Sequence, residues 1–179
     1  MGRIAAIVLA AGEASRFGSP KQRLLLPAVL ARLGEAPIDE IVIVAGAHEL
    51  EAPSNRLLQG TPTQVVRCAD WERGPGASLR CGLDALGDDA EAAVIILADG
   101  PNLAPTAVER VLETWHETGD IVAASYAGGR GHPLVLGRKD WSDIPDEGLR
   151  DRPVNLVPCD DLGAPGDIDT PEDLTQSSG

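Results

Sequence analysis

The sequence predicts one α/β domain of three layers, with helices on both faces of a mostly parallel, Rossmann-like sheet. Short apolar runs alternate with helical patterns along the chain. Two runs, Ile4–Leu9 and Ala93–Leu97, are apolar at every position, which is typical of parallel strands buried on both faces. With 179 residues, 43% of them hydrophobic, the chain is long enough to bury one full core.

The alternation of patterns places each element along the chain. We predict strands at Arg3–Leu9, Glu40–Val44, Gln64–Arg67, Ala92–Ala98, Asp120–Ala124, Pro133–Leu136 and Asn155–Val157. Helices are predicted at Gln22–Leu33, Glu49–Gln59, Ala77–Leu86 and Pro105–Glu117, with a short one from Pro171. Pro105 suits the first turn of its helix and Gly119 suits the end. We assign residues 1–174 to a single domain and 175–179 to a polar C-terminal tail.

Composition limits the classes of partner. The net charge of −13 argues against a nucleic-acid or anionic-membrane partner, so an anionic ligand needs a local group of cations, helped by a metal ion. Cys68, Cys81 and Cys159 are odd in number and fit neither a disulfide framework nor a zinc-site spacing. We therefore expect free thiols in a reducing compartment, in a cytoplasmic protein with no membrane span.

The segment L-A-A-G-E-A-S-R-F-G-S-P-K, which follows the first strand, is a candidate anion site. Arg16 and Lys21 supply two cations, which suits a polyphosphate. Neither the Walker A motif nor the Rossmann glycine fingerprint matches, so an ordinary turn with solvated charges remains an alternative. The glycine-bearing loop that leaves this strand exposes backbone N–H groups at the edge of the sheet where open α/β sheets bind ligands.

Two aspartates are candidate metal ligands. Asp99 directly follows a buried strand, where its carboxylate is suited to hold Mg²⁺ against the phosphates of a nucleotide. The alternative is a simple turn, which Asp-Gly-Pro favours. Asp169 precedes Thr170-Pro171, a pattern typical of an N-cap followed by proline, so its carboxylate is available as a second ligand.

Two further segments are candidate ligand loops. Gly74, Gly76 and Ser78 precede a helix, whose first N–H groups are suited to bind phosphate or a base edge. The dinucleotide fingerprint is incomplete here, because Leu79 stands in place of its last glycine. His132 precedes a strand, and it either faces the site or supports its loop.

In chain order, these segments resemble the MobA-like nucleotidyltransferases, and within that group the molybdenum cofactor cytidylyltransferases. The pattern L-A-A-G-x-S-x-R-[MF]-G-x-x-K is met except at Ala14, where serine is usual. Ala10-Ala11-Gly12 resembles the cytidylyl-transferring branch, since guanylyl-transferring relatives more often carry Ala-Gly-Gly. The other matches are L-A-D-x-P at Leu97–Pro101, G-H-P at Gly131–Pro133, D-I-D-T-P-E-D-L at Asp167–Leu174, a glycine-serine segment at Trp71–Gly82 and a weak echo of G-D-x-G-A-R at Asp146–Arg150.

The resemblance implies a fold of the nucleotide-diphospho-sugar transferase type and a reaction. A nucleotidyl group passes from an NTP, with CTP favoured, to a phosphorylated acceptor such as molybdopterin, and pyrophosphate leaves. The resemblance implies Mg²⁺ as the cofactor. It assigns catalytic roles to Arg16 and Lys21, metal binding to Asp99 and Asp169, nucleotide contacts to Leu9, Ala10, Ala11, Gly12, Arg16, Lys21, Gly74, Ser78 and Asp99, and the acceptor side to Gly100, Pro101 and His132.

The chain also departs from the family pattern. Leu25–Pro27 runs directly into Ala28–Leu33, and the family's G-x-P-L-L element is missing there. Gly100 and Asn102 replace a larger and an apolar residue beside the predicted metal ligand. Two alternatives therefore stay open: an NAD(P)H-dependent oxidoreductase on the same scaffold, and a nucleotide-binding member that has lost transfer activity.

Overall fold

The structure, a computed structural model, describes residues 2–11, 21–47, 49–50 and 60–166, with the backbone alone for 21–24. Within these residues the strands are β1 Arg3–Ala10, β2 Glu40–Ala45, β3 Thr63–Arg67, β4 Ala90–Leu97, β5 Val122–Tyr126, β6 Gly129–Gly137 and β7 Asn155–Pro158. The helices are α1 Lys21–Leu33, α2 Pro75–Asp84 and α3 Pro105–Thr118, and single 3-10 turns lie at Trp71–Arg73, Arg138–Asp140 and Asp160–Leu162. The predicted elements in this part of the chain are confirmed, with small differences at their ends, except that Glu49 and Leu50, the first two residues of the second predicted helix, are not helical.

The described strands form one sheet in the order β3-β2-β1-β4-β6-β5-β7. All neighbouring pairs are parallel except those of β6, which runs antiparallel to both β4 and β5. The register pairs Leu9 with Val44 on one side and with Leu97 on the other, so β1, β2 and β4 end side by side. The prediction of a mostly parallel sheet is confirmed, and the reversed β6 begins at the same edge where β1 and β4 end.

The two faces of the sheet are covered differently. Helices α1 and α3 cover one face, where Leu30 and Val111 are fully buried against alternate residues of β1 and β4 such as Val8. The other face is covered by α2 and by the irregular chain after β6, through residues that include Leu79 and Leu149. Successive residues of each strand point to opposite faces of the sheet, so both faces are apolar and both are covered. The result is the three predicted layers.

Helix α3 has the predicted ends. Pro105 lies at its first turn, where the missing N–H costs nothing. Gly119 ends the helix in the left-handed conformation, at φ 72°, and its N–H donates to the Trp115 carbonyl at 2.7 Å.

A two-residue turn joins β5 to the reversed strand β6. Ala127 and Gly128 both have positive φ, at 52° and 78°, as in the turns that match the twist of a β-hairpin. The N–H of Ala127 donates to the carboxylate of Asp160, which helps to hold this conformation. The hairpin thereby delivers the start of β6, including His132, to the edge where β1 and β4 end.

One prediction about the cysteines is wrong. Cys68, which follows β3, and Cys81, in the middle of α2, form a disulfide with their Cα atoms 5.8 Å apart. Spacing along the chain did not reveal this pair, because the packing of α2 against β3 is a tertiary contact. Cys159 is free, as predicted, and buried.

Other predictions lie outside the described residues: residues 51–59 of the second predicted helix, the short helix from Pro171, and the domain boundary at residue 174. No described helix has the length and apolar character that a membrane crossing requires. Location in the cytoplasm stays a prediction.

Candidate active site

A cavity of about 300 Å³ opens at the edge of the sheet where β1 and β4 end and β6 begins. Its floor is apolar and is formed by the strands and α2. In open α/β sheets, ligands bind outside the carboxyl ends of the strands, so this is the expected position for a site. The lining residues are Leu9, Pro75, Leu79, Ile95, Leu97, Arg130, Gly131, His132, Leu134, Glu147, Gly148, Leu149 and Arg150.

Charged groups stand around this apolar floor. Arg130 and Arg150 are exposed side chains on two different segments, β6 and the chain after it, and Glu147 lies near Arg150 in sequence. Partial burial lowers the pKa of Arg130. In a chain of net charge −13, two arginines at one cavity are a local concentration of positive charge, which favours an anionic ligand.

His132 is neutral in this setting. Its pKa is lowered to about 4, mainly by burial and in smaller part by the nearby positive charge of Arg130, while the carboxylate of Asp99 opposes the shift. The Tyr126 hydroxyl donates to the His132 carbonyl at 3.0 Å and fixes the backbone of this residue. The ring is therefore suited to exchange hydrogen bonds with a ligand without carrying charge.

Asp99 lies just beyond the end of β4 and close enough to His132 to influence its pKa. The Asn102 N–H donates to the Pro165 carbonyl at 2.9 Å, so the chain at 165–166 packs against the turn that contains Asp99. A Cβ at Gly100 would lie 3.0 Å from the Pro165 Cβ, which explains why a small residue stands here. Gly100 is buried under this chain, and neither it nor Pro101 lines the cavity.

The chains that leave β1, β2 and β3 pack together beside the cavity. The Ala47 N–H donates to the Ala11 carbonyl at 3.2 Å. The side chain of Trp71 lies against Gly46, where a Cβ would be 2.6 Å from the Trp71 Cγ. Ala10 and Ala11 are buried at the end of β1. Ala10 and Ala11, which are predicted to contact the nucleotide, therefore lie in a well-packed part of the chain at the end of β1.

The predicted ligand loop at Gly74–Ser78 begins α2. Gly74 is the N-cap, at φ 137°, and Ser78 is buried in the first turns of the helix. The Gly76 N–H donates to the Asp146 carbonyl at 2.8 Å, so this helix-terminal donor serves the protein itself. The Cys68–Cys81 disulfide closes the chain on either side, so that residues 69–80 form a covalent loop.

The structure brings together some of the predicted site residues. Leu9 and His132 line the cavity, and Asp99 is near His132. Gly12, Arg16 and Asp169 lie outside the described residues, and Lys21 is described only as the first backbone residue of α1. Among the described residues, no group of three or more His, Cys, Asp or Glu side chains is placed to hold a metal ion.

Sequence reasoning missed four residues of this region: Arg130, Asp146, Glu147 and Arg150. The last three lie in the segment that weakly echoes G-D-x-G-A-R, and this echo was the available signal. No sequence signal pointed to Arg130, because its position at the cavity depends on the β5–β6 hairpin and on the reversed direction of β6.

The fold defines an α/β domain with a cavity at the carboxyl edge of its sheet, the edge at which open α/β sheets bind ligands. The chain belongs to the family described as the MobA-like NTP transferase domain, whose model matches residues 6–154. The recognition of this family from the sequence motifs is confirmed.

Individual relatives agree with this assignment. The chain is 35% identical over 113 residues to the molybdenum cofactor guanylyltransferase of Rhodobacter capsulatus, covering 61% of this chain and 57% of the relative. It is 31% identical over 127 residues to the bifunctional protein GlmU of Streptomyces coelicolor, covering 66% of this chain. The chain spans only 26% of that GlmU protein.

Among solved structures, the chain resembles Rv0371c from Mycobacterium tuberculosis H37Rv. The TM-score is 0.77 at 26% identity, with 98% of this chain and 97% of that chain covered. A complex of Rv0371c with manganese aligns with a TM-score of 0.70 at 27% identity, with 98% and 97% of the two chains covered.

Proposed function

We propose that the protein is a divalent-metal-dependent nucleotidyltransferase, which moves a nucleotidyl group from an NTP to a small phosphorylated acceptor. The observation that supports the proposal is that three features lie close together at one edge of the sheet. Asp99 stands at the end of β4, the cavity with its two arginines lies beside it, and the chain at 165–166 packs against the same turn.

In the proposed reaction an oxygen of the acceptor phosphate forms a bond to the α-phosphorus of the NTP. The bond from that phosphorus to the oxygen bridging to the β-phosphate breaks, and pyrophosphate leaves with its electron pair. The attacking phosphate is already anionic, so no protein base is required. The chain's task is to position both anions and to neutralise their charge, and we assign neutralisation of the triphosphate to Arg16 and Lys21.

The donor set fits a divalent ion. Mg²⁺ is commonly held by one or two carboxylates together with substrate phosphates, and there it neutralises developing charge. Asp99 supplies one carboxylate. Gly166 packs beside Asn102 and Gly100, so the described chain reaches the turn that contains Asp99 three residues before Asp169 in the sequence. We assign the second carboxylate to Asp169 from its motif, and the manganese complex of Rv0371c supports a divalent ion.

Two features bear on the choice of nucleotide. Ala10-Ala11-Gly12 favours CTP, whereas the relationship to a guanylyltransferase favours GTP as the second candidate.

We assign the acceptor to the cavity. Its apolar floor suits a ring system, Arg130 and Arg150 suit an anionic group, and molybdopterin is the acceptor that the resemblance implies.

Thermal unfolding with CTP, GTP, ATP or NADPH, each with and without Mg²⁺, tests the proposal. A ligand that binds only the folded state raises the melting temperature. We expect a Mg²⁺-dependent rise with CTP or GTP, and loss of that rise in Asp99→Asn. Asp140→Asn is the matched control, because Asp140 is also half-buried but follows the other end of β6. A rise with NADPH alone would overturn the proposal in favour of an oxidoreductase.

A further inference from the structure

The Asp146 side chain occupies a junction between two segments. Its carboxylate accepts from Arg80 Nη2 of α2 at 2.5 Å and from Arg73 Nη2 of the preceding turn at 3.2 Å. Its backbone carbonyl accepts from the Gly76 N–H at 2.8 Å. The hydrogen bond from Arg80 holds the pKa of Asp146 below its usual value, so the group stays ionised. One residue thus binds α2 through both its side chain and its backbone.

The two segments approach each other at backbone distance. A Cβ at Gly76 would overlap the Pro145 carbonyl, and one at Gly74 would overlap the Asp146 carbonyl. The Gly148 N–H donates to the Pro145 carbonyl at 2.9 Å, which closes a turn around Asp146. Arg80 Nη1 also donates to the Ile144 carbonyl, at 2.6 Å. The chain at 144–148 is therefore joined to the start of α2 by hydrogen bonds and by close backbone contact.

Both segments line the cavity. Pro75 and Leu79 contribute from α2, and residues 147–150 contribute from the other side of the junction. The loop at 69–80, closed by the disulfide, contains Gly74 and Ser78, to which the family resemblance assigns contacts with the nucleotide. A displacement of α2 on nucleotide binding would thus be transmitted through Asp146 to the cavity wall.

We propose that Asp146 is a positioning residue that couples the nucleotide subsite to the acceptor cavity by tying the start of α2 to the wall segment 144–150. The coupling rests on the proposed function. The tie between the two segments rests only on the contacts described above, so the two claims can be tested separately.

The chain offers a matched control. Arg110 of α3 binds Asp161 through two hydrogen bonds, both 2.7 Å long, and neither residue lines the cavity. Asp161→Asn removes the same kind of charged contact from the opposite face of the sheet. Asp146→Asn removes the carboxylate at the junction, and Asp146→Glu restores a carboxylate there.

Hydrogen exchange measured by mass spectrometry tests the tie. In Asp146→Asn we expect exchange about tenfold faster in both 74–80 and 144–150, because a charge-assisted hydrogen bond is lost from each. Exchange in β4 should not change, Asp161→Asn should leave both segments as they are, and Asp146→Glu should recover part of the protection. Faster exchange in only one of the segments, or equally throughout the chain, would overturn the proposal.

Addition of CTP or GTP with Mg²⁺ then tests the coupling. In the wild type we expect added protection in 144–150 as well as in 74–80, and in Asp146→Asn protection in 74–80 alone. The acceptor KM should rise in Asp146→Asn by about tenfold with little change in the nucleotide KM, whereas loss of folded enzyme would lower only kcat. Protection of 144–150 that persists in Asp146→Asn would overturn the coupling. Absence of nucleotide binding in the wild type would instead overturn the proposed function, and the mutant exchange pattern would still decide on the tie.

Discussion

The two faces of the sheet are both apolar, but different kinds of structure cover them. One face is covered by two regular helices, α1 and α3, and is closed by side chains such as Leu30. The other is covered by the ten-residue α2 and by irregular chain, and the cavity lies there. The two regular helices fill the space over the first face. On the second face, the start of α2 contacts the chain at 144–148 through Gly74 and Gly76, and a cavity remains beside this contact. The predictions below test this division.

The largest effect is expected from a cavity in the helical face. Leu30→Ala removes a side chain that is 1% exposed, and we expect a loss of about 3 to 4 kcal/mol in the free energy of unfolding. Leu97→Ala, at the half-buried cavity floor, should cost about 1 kcal/mol, because the truncated space is already open to solvent. Urea denaturation measures both. Equal losses would contradict the division between a closed and an open face.

The disulfide makes stability of the open face depend on redox conditions. Reduction should lower the free energy of unfolding by about 3 kcal/mol, since the unfolded chain loses its cross-link between Cys68 and Cys81. Thermal unfolding with and without a phosphine reductant measures the change, and Cys81→Ser should be insensitive to the reductant. Thiol titration of the denatured, unreduced chain should find Cys159 alone. Reaction of all three cysteines would contradict the pairing.

A third comparison concerns the close approach at the junction. Gly76→Ala places a methyl group against the Pro145 carbonyl, so α2 and the wall segment must separate, at a cost of about 2 kcal/mol. Gly129→Ala is the control, because the nearest atom to its Cβ would be the Tyr126 carbonyl oxygen at 3.5 Å. That change should stay within about 0.5 kcal/mol. Similar melting temperatures for the two variants would show that the approach is not tight.

The smallest effect is a pH dependence. Because Arg80 lowers the pKa of Asp146 from 3.8, its ionised carboxylate stabilises the folded state above that pH. This contribution falls as the pH drops through the lowered pKa, and screening at the surface keeps it small. The difference in melting temperature between wild type and Asp146→Asn should therefore close on acidification. A difference that stays constant to the lowest pH would show that the contact does not depend on charge.

The sequence was sufficient for most of the fold because its strands are apolar in short runs and its helices have clear ends. The reversal of β6 could not be predicted from its pattern, since a strand buried on both faces has the same composition in either direction. The Gly74–Ser78 segment was interpreted as a ligand loop, and that role stays a prediction. The structure adds a packing role, because Gly74 and Gly76 allow backbone contact with Asp146 and Pro145, some 70 residues away in the chain.

At the candidate site, too, the sequence identified only the residues that belong to local motifs. Asp99 and His132 were identified because each adjoins a strand and belongs to a motif. Arg130 and Arg150 reach the cavity only through tertiary structure, so spacing along the chain could not join them to it. The roles of Arg16, Lys21 and Asp169 stay predictions.

The hairpin turn before β6 offers a means of adjusting the site from a distance. Ala127 adopts a left-handed conformation that costs a residue with a Cβ about 1 kcal/mol, and asparagine or glycine adopts it more readily. Ala127→Asn would therefore stabilise the turn that precedes Arg130 and His132 on β6. The substitution alters no residue that lines the cavity, so the start of β6 can be stiffened from outside the cavity.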